Sequence, residues 1–211
     1  MALVLYECPG TRSTRDRWVL QELEVPFESI ILDLAAGEQR TAAFLDINPA
    51  GKVPTLVDEG SVITESAAIA LYLAHKYPEK GLLPQDPASR AQVLRWVFFT
   101  VTELEQPLWR RVKHRRIYPE AARLPADIAL ANQDFIATAS ILDKHMRHRE
   151  FVVGHQATVA DFLLAFTLDW ANEALLLETF PVLRGYMERM YARPQAPARI
   201  RATKQPAPQP G

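Results

Sequence analysis

The sequence is poor in several features that mark particular classes of protein. Its 211 residues contain a single cysteine, which excludes an intrachain disulfide and argues for a reducing compartment. A formal net charge of −1 lacks the basic excess needed to bind nucleic acid or an anionic membrane surface. No apolar run reaches the roughly 18 residues of a membrane-spanning helix, and the start MALVLYECPG does not resemble a signal peptide. We therefore expect a cytoplasmic protein with no nucleic-acid or membrane partner.

What the sequence does contain is enough apolar material for a core, since 48% of its residues are hydrophobic. Residues 1–78 alternate short apolar runs with helical spacing, which predicts the order βαβαββα. The run LVLY at 3–6 predicts the first strand, and Ser13 with Asp16 has the form of a cap that opens the first helix. The stretch TLVDEGSVIT predicts a hairpin around the turn DEG. The first part of the chain therefore reads as an α/β domain.

The second part of the chain has a different character. Residues 79–88 hold glycine and two prolines with little periodicity, which predicts a linker. Residues 89–194 predict an all-helical domain, and the proline-rich stretch 195–211 predicts a flexible tail. The expected helices cover about 89–116, 126–148, 158–176 and 181–192. Within this part, Thr158 and Asp161 are spaced as a capping box, a structural role to which we assign no catalysis.

Two short motifs in the first domain suggest a binding site, although each has an ordinary structural explanation. In NPAGKVPTLVDEG, a cis Val53–Pro54 bond would leave the Val53 backbone to pair with an extended peptide, whereas a trans bond gives an ordinary turn. In TESAAIALYL, Glu65 and Ser66 open a helix whose free N–H groups favour a bound carboxylate. Simple capping by these two residues explains the same pattern. Neither motif decides the function alone.

In combination the motifs point to a family. NPAGKVPTL, ESAAIALYLA and ATVADFLLAFTLDW, in this order, resemble the cytosolic glutathione transferases, of a bacterial, theta- or beta-like type. The resemblance runs from Leu3 to about Met190. It implies a thioredoxin-like first domain followed by an all-α domain, glutathione as the co-substrate, a small electrophilic second substrate and a homodimer.

The resemblance also implies roles for individual residues. Val53, before a cis Pro54, would pair with the cysteinyl backbone of glutathione, and Glu65 with Ser66 would hold its γ-glutamyl end. The glycyl carboxylate would meet Gln39, Arg40 and Lys52, although solvated surface charge explains the two cations equally well. The electrophile pocket would be lined from the first long helix by Phe99, Glu103 and Trp109.

No metal site is expected, because the five histidines form no ligand pair with one another or with cysteine and carboxylate groups. The chemistry must instead lower the pKa of a thiol that is about 8.5 when free. Lowering this pKa by about two units needs roughly 2.7 kcal/mol of preferential thiolate stabilisation. One hydroxyl hydrogen bond to a thiolate supplies about 1.5–3 kcal/mol, and the start of the first helix adds a fraction of that, so no metal is needed.

Which hydroxyl supplies that bond is the open question of the stretch CPGTRST. An ungapped match to related transferases puts their active serine or cysteine at Gly10, and a shift of one residue puts it at Thr11. We rank Thr11 first and Ser13 second, with Cys8 third because it ends the first strand. Two alternatives stay open. CPGT is similar to the motif of single-thiol glutaredoxins, in which Cys8 would react itself, and transferase-like folds also serve as non-catalytic binding proteins.

Overall fold

The computed structural model describes residues 3–203 of the chain. These residues divide into two compact units. The first holds the described residues up to Leu83 together with those from Arg193 onward, and the second holds Pro84–Ala192. No helix among the described residues has both the length and the apolar character needed to cross a membrane.

The first unit is built on a four-stranded sheet. The strands are β1 (Leu3–Glu7), β2 (Phe27–Ile31), β3 (Thr55–Asp58) and β4 (Ser61–Thr64). They lie in the order β2-β1-β3-β4, in which β1 runs parallel to β2 and antiparallel to β3, and β4 runs antiparallel to β3. The helices are α1 (Ser13–Leu23), α2 (Ala42–Ile47) and α3 (Ser66–Lys76). The predicted order βαβαββα is confirmed.

Local sequence explains how this unit forms. Glu59 and Gly60 both have positive φ, 50° and 86°, as a two-residue hairpin turn between β3 and β4 requires. Apolar residues of α1 are fully buried where the helix packs against α3, and they include Trp18 and Leu20. The β3–β4 turn and the buried face of α1 hold the sheet and α3 in place. The residues suggested for binding lie just after β1, just before β3 and at the start of α3.

The second unit is helical, as predicted. It contains α4 (Pro87–Phe98), α5 (Glu105–Val112), α6 (Pro125–Met146), α7 (Val159–Glu173) and α8 (Pro181–Tyr191). The helix expected at 89–116 is interrupted by two π-helical segments, Phe99–Leu104 and Lys113–Ile117. Pro107 explains the first, because it has no N–H to offer the carbonyl one turn earlier. The side-chain amide of Gln106 donates from Nε2 to the Val101 carbonyl at 3.0 Å in that stretch.

The predicted capping box of α7 is confirmed. The Asp161 carboxylate accepts hydrogen bonds from the Thr158 N–H and hydroxyl, both at 2.9 Å. It also accepts from the Val152 N–H at 2.8 Å and from the Tyr186 hydroxyl at 2.7 Å. Almost every residue of α7 is buried, so this helix forms the centre of the unit.

The C-terminal segment differs from the expectation of a flexible tail at 195–211. The short helix α9 (Ile200–Thr203) belongs to the first unit, and Ile200 is buried. Arg193 donates two hydrogen bonds to Glu22, at 2.7 and 2.6 Å, which ties the start of the segment to α1. The sequence did not predict this packing, because one buried apolar side chain and one paired arginine give no recognisable pattern in a proline-rich stretch. The rest of the predicted tail, 204–211, lies outside the described residues.

Candidate functional site

The turn between β1 and α1 brings hydroxyl groups into one hydrogen-bonded chain. Thr11 Oγ1 donates to the Cys8 carbonyl at 2.7 Å and lies 2.9 Å from Ser13 Oγ. Because the single Thr11 proton goes to that carbonyl, Ser13 is the donor between the two hydroxyls. Ser13 Oγ in turn accepts from the Cys8 N–H at 3.3 Å. The chain of donors therefore runs from Cys8 through Ser13 to Thr11.

Burial separates the two hydroxyls that sequence suggested. Ser13 is fully buried, whereas Thr11 is partly exposed. The cap predicted for Ser13 with Asp16 is wrong: Arg12 occupies the N-cap position, and its side chain makes no capping hydrogen bond. The physical reason is that the Ser13 hydroxyl is already used by Cys8 and Thr11. Of the two, Thr11 is the hydroxyl at the surface.

Cys8 is partly buried and close to acidic groups. Burial raises the pKa of the Cys8 thiol above its ordinary value; a backbone hydrogen bond from Leu34 opposes the rise, and the negative charges of Asp33 and Glu7 add to it. A raised pKa keeps the group as an uncharged thiol, which is the poorer nucleophile. These surroundings disfavour the glutaredoxin-like use of Cys8.

Two further predicted elements lie at β3 and α3. The Val53–Pro54 peptide is cis, as the resemblance implies. Within residues 3–203 the backbone N–H and C=O of Val53 have no hydrogen-bond partner. At the start of α3, Glu65 is exposed and occupies the N-cap position with φ 69°, and Ser66 is buried as the first helical residue.

The three residues suggested for the glycyl carboxylate differ in how far they are engaged. Gln39 Nε2 donates to the Leu34 carbonyl at 3.3 Å. Arg40 Nη1 lies against the turn at Gly51, where a Cβ atom would come within 2.8 Å of it, and is 3.5 Å from the Ala50 carbonyl. Lys52 is exposed, and its ammonium has no partner among the described residues. Lys52 is therefore the most available of the three.

Sequence reasoning missed two buried charged residues beside this site. Arg15 and Asp16 on α1 are both fully buried, and Arg15 Nη1 donates to Ser66 Oγ at 3.2 Å. Burial raises the pKa of Asp16 well above its usual value; the charge of Arg15 opposes that rise and the charge of Glu7 adds to it. In the sequence these residues belong to the polar run TRDR at the start of a helix, which gives no sign that they are buried.

Of the three residues suggested for the electrophile pocket, Glu103 lines a cavity in the second unit. Glu103 lines a cavity of about 400 Å³ between the segment after α4 and α6, together with Thr102 and Ala137. Phe99 packs instead against Trp96, with ring centroids 5.0 Å apart, and Trp109 does not line that cavity. Within residues 3–203, no group of three or more histidine, cysteine or carboxylate side chains is arranged to hold a metal ion.

Comparison with known proteins gives the same answer for both halves of the chain. The family model for the glutathione S-transferase N-terminal domain matches residues 1–75, and that for the C-terminal domain matches residues 126–194. The chain is 31% identical to glutathione S-transferase GST-4.5 of Xanthomonas campestris pv. campestris, over 94% of this chain and 97% of that protein. It is 30% identical to glutathione S-transferase GstA of Escherichia coli O157:H7, over 90% and 94% of the two chains.

A solved structure extends the likeness to three dimensions. A glutathione transferase homologue from Sulfitobacter, solved with bound glutathione, has a TM-score of 0.83 at 25% identity, and the match covers 92% of this chain and 95% of that one. The order of motifs, the two-unit fold and the relatives therefore agree. The chain belongs to the glutathione S-transferase family and is a glutathione transferase.

Proposed function

We propose that this transferase binds glutathione in its first unit and activates the thiol with the Thr11 hydroxyl. The observation that carries the proposal is the free Val53 backbone, which is separated from the paired strand β3 only by Pro54. Unpaired backbone groups beside a sheet bind an extended peptide by strand-like hydrogen bonds. Glutathione is such a peptide, and its cysteinyl N–H and C=O are the natural partners of Val53.

The γ-glutamyl end of glutathione would lie at the start of α3. The first N–H groups of any helix lack partners within the helix, and the positive end of its dipole favours an anion. Ser66 adds a hydroxyl there, and the exposed Glu65 carboxylate is free to meet the ammonium. The amino acid end of the peptide carries both charges that these groups recognise.

The glycyl carboxylate at the other end would pair with Lys52. Its unpartnered ammonium supports this role, whereas the contact of Arg40 with the Gly51 turn supports a structural role for that arginine. Gln39 is less available than Lys52 for this carboxylate, because its amide nitrogen already donates to the Leu34 carbonyl. An exposed ion pair is worth at most about 1 kcal/mol, so this end contributes less to affinity than the γ-glutamyl end.

The thiol of bound glutathione would meet Thr11. On thiolate formation the Thr11 proton turns from the Cys8 carbonyl to the sulfur, and that carbonyl keeps its bond from the Thr11 N–H at 3.2 Å. Ser13 continues to donate to Thr11 Oγ1, which strengthens Thr11 as a donor because hydrogen bonds in a chain polarise one another. Ser13 acts in this scheme through Thr11, without touching the sulfur.

The thiolate would then attack an electrophilic carbon, or reduce a peroxide or a mixed disulfide. We assign the pocket for the second substrate to the helical unit, with Phe99, Glu103 and Trp109 as its proposed lining. The cavity beside Glu103 supports one of these three residues. Which electrophile binds is a question for an assay with glutathione and a panel of electrophiles, peroxides and disulfides.

We further propose a cytoplasmic homodimer. Exposed apolar side chains on α4 and α6 support a partner surface: Phe98, Leu130 and Ile141 are each more than half exposed. Two-fold dimers are the commonest oligomers of soluble proteins. Light scattering at micromolar concentration should give the mass of a dimer, and a monomeric mass would contradict this part of the proposal.

Calorimetric titration with glutathione tests the binding site. Changing Glu65 and Ser66 together to alanine should weaken binding by about 2–4 kcal/mol, because two charge-assisted contacts are lost. The matched control is the change of Glu59 to alanine, which removes the same charge from the β3–β4 turn. Unchanged affinity in the double variant would refute the assignment.

A further inference from the structure

A buried arginine lies directly beneath the proposed γ-glutamyl site. Arg15 on α1 donates from Nη1 to Ser66 Oγ at 3.2 Å, across the contact between α1 and α3. Arg15 is 0% exposed and Ser66 is 6% exposed, so the contact is shielded from water. A charged side chain is rarely placed so deep unless its surroundings compensate for the lost hydration.

The contact fixes the direction of the Ser66 hydroxyl. A serine hydroxyl has one proton to donate and two lone pairs that accept. Arg15 can only donate, so its bond uses a lone pair of Ser66 and leaves the proton of Ser66 for another acceptor. A carboxylate at the start of α3 is the acceptor that this arrangement suits.

We propose that Arg15 is a positioning residue for the γ-glutamyl carboxylate of glutathione. It holds the Ser66 hydroxyl with its proton directed at the ligand. This inference rests on the proposed function, because it takes the ligand at Ser66 to be glutathione. It extends that function by a residue on α1 that does not itself touch the peptide.

The test compares two ligands by calorimetry: glutathione, and the analogue 4-aminobutanoyl-cysteinyl-glycine, which lacks only the α-carboxylate of the γ-glutamyl residue. Arg15→Met should weaken glutathione binding about tenfold and leave the affinity for the analogue within about twofold. The reason is that the analogue has no α-carboxylate to accept the Ser66 proton that Arg15 orients. Arg15→Lys keeps a side chain that can only donate, and it should bind glutathione within about threefold of the parent protein. Turnover at saturating glutathione should be nearly unchanged, so that the loss appears in KM and not in kcat.

Controls separate this role from a structural one. Arg184→Met removes an exposed arginine from the second unit and should alter neither affinity. Arg15→Gln offers Ser66 an acceptor as well as a donor, so it no longer fixes the direction of the Ser66 proton. This variant decides the matter if thermal unfolding shows that Arg15→Met does not fold. Its expected result is a loss of about fivefold for glutathione alone. An equal loss for both ligands, or no loss for glutathione, would overturn the proposal.

The same experiment distinguishes failure of this inference from failure of the proposed function. If Ser66→Ala leaves glutathione affinity unchanged, the ligand does not lie at α3 and both proposals fail. If Ser66→Ala weakens glutathione but not the analogue, while the arginine variants bind both ligands normally, the site stands and only the role of Arg15 is refuted.

Discussion

The change Thr11→Val tests the proposed activation of the thiol most directly, because valine keeps the branched shape and removes the hydroxyl. In the structure the Thr11 proton is used in the 2.7 Å bond to the Cys8 carbonyl. Transfer of that proton to a thiolate gains a charge-assisted bond of about 1.5–3 kcal/mol and loses a neutral one of about 0.5–1.5 kcal/mol. The net gain, taken between the midpoints of these ranges, is about 1.3 kcal/mol, which corresponds to about one pKa unit.

The effect on rate is smaller than the effect on the pKa. When the pKa of the bound thiol rises by about one unit, the thiolate fraction well below that pKa falls about tenfold. The more basic thiolate is also the stronger nucleophile, with a Brønsted coefficient of about 0.4–0.5, which recovers about threefold of the loss. Turnover should therefore fall only about threefold near neutral pH.

The informative assay is a pH titration of bound glutathione, followed by the ultraviolet absorbance of the thiolate. Thr11→Ser is the matched control, since it keeps the hydroxyl and should keep the pKa of the bound thiol near that of the parent protein. Binding is measured separately by calorimetry to show that the site is occupied. An unchanged thiol pKa in Thr11→Val, with binding retained, would refute the role of Thr11.

Other substitutions probe the neighbouring features. Cys8→Ser should leave the rate of conjugation within about twofold of the parent rate, because burial holds Cys8 as a thiol. If Cys8→Ser abolishes activity while Thr11→Val has no effect, the glutaredoxin-like mechanism is favoured. Asp161→Ala should lower the free energy of unfolding in urea by about 3 kcal/mol, since four hydrogen bonds lose their acceptor, and a loss below about 1 kcal/mol would contradict that reasoning. Asp16→Asn should change the pH dependence of stability. Burial raises the pKa of Asp16 in the folded state, so the folded protein holds a proton that the unfolded chain loses above about pH 4, and stability falls as pH rises from there. Asparagine cannot lose a proton, so the variant should not show this fall. If the denaturation midpoint changes between pH 5 and 7 by the same amount in the parent protein and in the variant, the raised pKa of Asp16 is refuted.

Sequence reasoning was most successful where a local pattern has one physical meaning. The alternation of apolar runs predicts the strands and helices of the first unit, and the Thr158–Asp161 spacing predicts a capping box that the structure contains. Both signals come from residues close together in the chain, so no knowledge of the tertiary fold is needed to read them.

Features that depend on distant residues were beyond the sequence. The S-x-x-D pattern at Ser13 is the same as that of a real cap, but Cys8 and Thr11 take the hydroxyl, and only their approach in space decides this. Arg15 meets Ser66 across a separation of 51 residues. The π-helical segment before Pro107 likewise follows from the missing N–H of that proline. The spacing of apolar residues, from which the helix was predicted, carries no information about it.

The contact between Gly10 and Thr203 bears on how this active site has evolved. Gly10 has φ 76°, and a Cβ atom there would come within 2.4 Å of Thr203 Oγ1, which is held by a 2.7 Å bond to the Ile200 carbonyl. A serine at position 10, where an ungapped match puts the active residue of related transferases, would meet the Thr203 hydroxyl and would have to adopt a left-handed backbone conformation. Exchange between the two kinds of site therefore has an order: the Thr203 side chain must turn away or be replaced before serine at position 10 fits.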